Sequence, residues 1–135
     1  MFRLAYAYYI IAIAAILISC GGNGKIISKE ALIEFKDSTY NFGEVKRSEG
    51  SVSHTFTFHN IGKQPLIIQK VETSCHCTIV EYPKEPVMTG KKGKLKVTFD
   101  AKGSLPVNFH KTISVYSNSS QGTTELNIKG RVLPI

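Results

Sequence analysis

Apolar and polar residues alternate along most of this chain with a period of two. In the stretch Thr55 to Phe58, Phe56 and Phe58 fall on one face, Thr55 and Thr57 on the other. Leu95, Val97 and Phe99 alternate in the same way with Lys94, Lys96 and Thr98. Between Thr124 and Val132 the inward set is Leu126, Ile128 and Val132, set against outward Glu125, Asn127, Lys129 and Arg131. Ile113 and Val115 supply the inner face of the strand before it. Such alternation marks half-buried antiparallel strands. Turn chemistry separates the runs at Asn60 to Pro65, Pro86 to Gly93 and Ser117 to Gly122, where Gly and Asn tolerate positive φ and Pro fixes it. No stretch after the first 30 residues carries a helical period. The pattern predicts an all-β fold, a two-sheet antiparallel β-sandwich of about seven short strands.

The beginning of the chain follows a different rule. Met1, Phe2 and Arg3 carry one positive charge, and from Leu4 to Ile18 there is no charged residue. These 15 apolar positions fall short of the roughly 20 that a spanning helix needs, and they fit the hydrophobic region of a secretory signal. The run closes on Leu17-Ile18-Ser19-Cys20 and Gly21-Gly22, which resembles the bacterial lipobox. A thiol is the nucleophile that takes the diacylglyceryl group, and small neighbours admit the peptide to the processing enzymes. The reading is a lipoprotein signal peptide over 1–19, a lipidated Cys20 with a flexible tether over 20–30, and one domain over 31–135. Each buried methylene of such a lipid contributes about 0.8 kcal/mol, and two or more chains make the membrane anchoring stable. The expected location is the bacterial cell envelope, with the anchor in the outer membrane facing the periplasm. That last assignment rests by analogy on Gly21, where an acidic residue would signal retention in the inner membrane.

A chain of 135 residues has room for a single domain. Its 17 Lys plus Arg against 10 Asp plus Glu give a net charge of +7, lowered by one when Arg3 is removed with the signal. A basic surface suits anionic lipid headgroups and other polyanions, and it equally serves plain solubility. Outside the cytoplasm nucleic acid is not an expected partner.

Seven segments together resemble a known bacterial family: Tyr40 to Val45, Phe56 to Gly62, Pro65 to Ile68, Val71 to Thr78, Gly93 to Asp100, Ile113 to Asn118 and Leu126 to Gly130. They are similar to domain-of-unknown-function family 1573, and the resemblance spans Phe35 to Val132. It implies an Ig-like sandwich, often carried on lipoproteins and related in architecture to the ASH/Hydin-type domains. It implies no activity. Where the family usually reads Ser-Cys-Gly-Cys-Thr, this chain has Ser74-Cys75-His76-Cys77-Thr78.

Cys75 and Cys77 carry the candidate chemistry. Bridged to each other they close three residues, and the loop-entropy relation gives only about 1.6 kcal/mol. In a straight strand, residues two apart lie near the upper limit for a disulfide, so a bridge needs a bend. Three readings stand: an inert pair or bridge, a copper or zinc site, and a redox pair. Thiolates suit soft metals, and His76 adds an imidazole if the segment is a loop. A stable zinc site asks for four ligands, with His54, His59 and His110 the further candidates. By strand parity His54 is partly buried and His59 exposed, while His110 stands near the start of a strand, at a sheet edge. Lys92, Lys94 and Lys96 line one strand face, either as a solvated surface or as guards of an edge. No nucleophile elbow, phosphate-binding Gly loop or His-Glu-x-x-His occurs. The expected role is a non-enzymatic binding or scaffold module, meeting another envelope protein through sheet edges and loops. Metal binding and thiol–disulfide exchange are the alternatives.

Overall fold

The computed structural model describes residues 30–134. The expected signal peptide over 1–19, the expected lipidation site Cys20 and the expected tether as far as residue 29 lie outside these residues. Eight strands run in chain order: β1 (Ile33–Phe35), β2 (Thr39–Lys46), β3 (Ser51–Asn60), β4 (Ile68–Thr73), β5 (Thr78–Glu81), β6 (Lys92–Asp100), β7 (Asn108–Ser117) and β8 (Thr123–Leu133). They form two four-stranded sheets, β1-β3-β6-β5 and β2-β8-β7-β4. This is the Ig-like sandwich, with two departures from the sequence expectation. The first edge strand is broken at Lys36-Asp37-Ser38, so β1 joins one sheet and β2 the other, which raises the strand count to eight. Having changed sheets without reversing, β2 then pairs with β8 in parallel, whereas all other strand pairs are antiparallel.

The inward sets read from the alternation close on one another between the sheets. Phe56, Phe58, Leu95, Val97 and Phe99 meet Ile113, Val115, Leu126, Ile128 and Val132, all buried. Phe99 of β6 and Phe109 of β7 stack across the interface, ring centroids 4.1 Å apart and nearly parallel. Burying a large apolar side chain is worth about 1.5–3 kcal/mol, so this seam is the principal stabilising feature. Opposite Phe58 in the register stands Gly93, and an added Cβ there would run into the Phe58 ring. Gly43, at φ +68°, sits where the β2–β8 register shifts, a backbone conformation that costs glycine nothing.

The loops divide between two poles. At the near pole, where the described chain begins, segments 61–67, 82–91 and 118–122 converge on Glu30 and Ala31. Lys63 N–H donates to Glu30 C=O at 2.9 Å, and Ser120 N–H to Ala31 C=O at 3.2 Å. Asn60, fully buried, organises this pole. Its Nδ2 donates to the carbonyls of Gln64 (2.7 Å) and Val87 (2.9 Å), and its Oδ1 accepts from Gly62 N–H at 3.0 Å. The far pole carries segments 47–50, 74–77 and 101–107, and each of the three crosses from one sheet to the other.

Replacing Asn60 by Ala removes three hydrogen bonds, leaving the Gln64 carbonyl and the Gly62 N–H without their partner and the Val87 carbonyl with Leu66 N–H alone. The expected loss is about 3 kcal/mol, read as a lower denaturant midpoint with an unchanged slope. A loss under about 0.5 kcal/mol, the size of an ordinary surface change, would show that Asn60 does not organise the pole.

Candidate functional site

The cysteine pair lies on the 74–77 crossover, where the chain leaves β4 for β5. Its flanking residues explain the turn. Ser74 extends β4 by one step, its N–H donating to Thr112 C=O at 3.0 Å and its Oγ accepting from Thr112 N–H at 3.1 Å. Thr73 Oγ1 donates to Cys75 C=O at 2.9 Å, and Thr78 N–H closes the turn on the same carbonyl at 3.2 Å. Asp100 N–H then takes Cys77 C=O at 2.8 Å, which ties the turn to the end of β6. Within this bend the two Cα atoms stand 5.2 Å apart, and the cysteines form a disulfide. The bend that a Cys-x-Cys bridge requires is therefore supplied by side-chain hydrogen bonds of Thr73 and Ser74.

Two further contacts treat the sulfurs unequally. Cys77 N–H donates to Cys75 Sγ at 3.2 Å. Cys77 Sγ lies 3.8 Å from Thr78 Oγ1, the hydroxyl of a residue that is itself buried. Both cysteines are half-buried, and His76 between them is exposed.

The disulfide forms one wall of a groove of about 240 Å³ between the 74–77 and 101–107 crossovers. Phe99, Phe109 and Val132 line it from the end of the core, with Lys111 next along β7, and Leu105 and Val107 line it from the 101–107 crossover. Leu105 is 75% and Val107 53% exposed, large values for aliphatic side chains beside a groove. The adjacent backbone is open as well. Thr112 directs both its N–H and its C=O to Ser74, so two residues earlier His110 directs its own pair to the same side. There β4 has already turned away, and among the described residues no strand continues it. A more open depression of about 420 Å³ lies beyond Phe109, lined in part by Asn41, Gly43, Lys129 and Arg131. His110 borders it, held by Asn127 Oδ1 at 3.0 Å.

The other candidates are dispersed. Among the described residues no three His, Cys, Asp or Glu side chains converge on a point that could hold a metal ion. Cys75 and Cys77, as a disulfide, offer no thiolate for copper or zinc. His54 is half-buried, as its parity predicts, stacked on Tyr40 at 3.6 Å with Phe56 edge-on at 4.8 Å. His59 is half-buried rather than exposed, since β1 covers its strand. His110 lies on the inner strand β7, at the part that outruns β4. Lys92, Lys94 and Lys96 do face outward, but β6 is an inner strand, so they guard no edge. Alternation could not find Leu105 and Val107, because loop residues have no period; their only mark in sequence is an apolar pair around Pro106, between Gly103-Ser104 and β7.

The family described as protein of unknown function (DUF1573) matches residues 33–132. No curated protein matches the sequence. Among solved structures, a protein of unknown function from Porphyromonas gingivalis W83 superposes with TM-score 0.66 at 15% identity, over 82% of this chain and 51% of that one. The ASH/PapD-like domain 7 of human CEP192 gives 0.61 at 10% identity, over 87% and 96%. The YadV chaperone gives 0.51 at 17%, over 76% and 51%. The chain thus spans about half the length of the first of these proteins. At such identities the likeness establishes the fold.

The stacked His54 makes stability depend on pH. Burial lowers its pKa below the ordinary imidazole value, and Asp37 opposes this more weakly. The unfolded chain therefore takes the proton more readily. Stability from this residue is complete above about pH 6.5 and is lost as pH falls through the lower folded-state value. Urea midpoints measured at pH 7.5 and 5 should fall on acidification, with a smaller fall in His54→Phe. An equal fall in both proteins would remove His54 as a cause.

Proposed function

We propose, from the premise that this chain belongs to the DUF1573 family of proteins of unknown function, that it is a lipid-anchored binding module of the bacterial cell envelope. Cys20 carries the lipid, in the outer membrane facing the periplasm, and the far-pole groove receives an extended apolar segment of another envelope protein.

The observation that carries this reading is the polarity of the fold. The described chain begins at one pole, and the groove lies at the other. Nine residues lie between Cys20 and Glu30, and a link of that length reaches at most about 35 Å when fully extended. Such a tether holds the near pole close to the bilayer and presents the far pole to the periplasm. The groove has the parts that recognition of an extended segment uses: exposed Leu105 and Val107, an apolar floor, and the free backbone pair of His110 to continue the β7 sheet. The sandwich likeness to a chaperone and to an ASH/PapD-like domain fits a module that binds rather than catalyses. No substrate-activating constellation lines the groove among the described residues.

A photo-cross-linking residue placed at Leu105 or at Met88 of the full chain, in cells, tests this. Met88 is similarly exposed but lies at the near pole. The expected result is a protein adduct from position 105 and none from position 88, with both variants in the membrane fraction and a diacylglyceryl mass on Cys20 at the N-terminus of each processed chain. Adducts from position 88 alone, or none from either, would overturn the groove. A processed chain without that mass on Cys20 would overturn the anchor.

A further inference from the structure

The Cys75–Cys77 disulfide has no stapling task. It closes three residues, and the turn that carries it is already fixed by hydrogen bonds that do not involve the bridge. Thr73 Oγ1 and Thr78 N–H hold Cys75 C=O, and Asp100 N–H holds Cys77 C=O. Opening the bond would let the two sulfurs move apart while these hydrogen bonds keep the turn. Both cysteines are half-buried and wall a groove that is open to solvent. A bridge that stabilises little, in a turn that stands without it, at a surface shaped to receive another chain, is in a position to react.

We propose that this disulfide exchanges with a cysteine thiol of the segment that occupies the groove, forming a reversible covalent link at Cys77. The incoming thiolate attacks Cys77 Sγ, a bond forms between the two sulfurs, the Cys75–Cys77 bond breaks, and Cys75 departs as the thiolate. Electrons balance within the exchange: one disulfide and one thiolate are consumed, one of each is produced, and no outside oxidant takes part. In the reverse step Cys75 attacks Cys77 Sγ, restores the original bridge and expels the partner's thiolate.

The direction follows from the unequal surroundings of the sulfurs. The leaving sulfur is the one that must accept negative charge. Cys75 Sγ already receives the Cys77 N–H, a backbone donor with a fixed direction, and hydrogen bonds to an ionised acceptor are roughly twice as strong as neutral ones. Cys77 Sγ has only the longer contact to the Thr78 hydroxyl. The same N–H keeps the Cys75 thiolate beside Cys77, where it can reclose the ring, so the covalent link is reversible and an excess of the incoming thiol holds it. Lys111 on the groove wall favours the approach of an anionic thiolate.

This exchange rests on the groove reading for its protein partner, but a small monothiol tests the chemistry by itself. The full chain carrying Cys20→Ser, oxidised and purified, is mixed with excess glutathione, quenched in acid, alkylated with N-ethylmaleimide and fragmented between Cys75 and Cys77 in a mass spectrometer. The expected product carries glutathione on Cys77 and maleimide on Cys75, in about tenfold excess over the opposite isomer. An untouched disulfide would overturn the exchange, and an even or reversed distribution would overturn the assignment of Cys77 as the linked sulfur. A groove that bound no protein segment would leave this result unchanged, which keeps the two failures apart.

Discussion

The two sheets each offer one continuous apolar face, and neither face can stand in water alone. Their closure, with Phe99 stacked on Phe109 across the seam, is the constraint from which the rest of the architecture follows. Because consecutive strands are dealt to both sheets, the chain must cross the ends of the sandwich repeatedly. All three described loops of the far pole are such crossovers. Two of them, 74–77 and 101–107, part over the end of the Phe99–Phe109 stack and leave the groove between them. The groove is thus a consequence of how the core is closed.

That origin accounts for the chemistry of the groove. Its floor is apolar because it lies over the end of the seam. Its disulfide stands at the rim because the β4-to-β5 crossover turns there, held by Thr73 and Ser74. Its free backbone edge exists because β4 leaves the sheet at Ser74 while β7 begins four residues earlier in the register, at Asn108. A binding surface made this way is rigid on the β7 and cysteine-turn sides and carries its two most exposed aliphatic side chains on the remaining loop. Holding one wall fixed lowers the ordering cost of association.

Much of this was legible in the alternation of residues, and the rest was not, for reasons that differ from place to place. Leu95, Val97, Phe99, Leu126, Ile128 and Val132 are buried as their parity requires, because a strand's faces follow from spacing alone. The parallel pairing of β2 with β8 escapes such reasoning, since it depends on where the first edge strand breaks, and Lys36-Asp37-Ser38 reads as any polar loop. The Cys75–Cys77 turn was legible only as a requirement: a bridge there needs a bend. What supplies the bend is the pairing of Ser74 with Thr112, 38 residues away, a contact that spacing does not encode. His110 shows the same limit. Its nearness to a sheet edge was readable, but the edge arises from the early end of β4 rather than from an edge strand.

Among the described surfaces, the far-pole groove is the one expected to take an extended apolar segment. Selection of a random peptide library on the full chain carrying Cys20→Ser, followed by affinity measurements on the enriched peptides, tests this most directly. Leu105 is exposed enough that an acidic replacement leaves the core untouched, and Met88 at the near pole is a matched control. Enriched apolar peptides are expected, with an affinity that falls about tenfold or more in Leu105→Asp, the range of a buried contact at an interface, and stays unchanged in Met88→Asp. Peptides indifferent to Leu105→Asp but lost in Met88→Asp would contradict the groove as the binding surface.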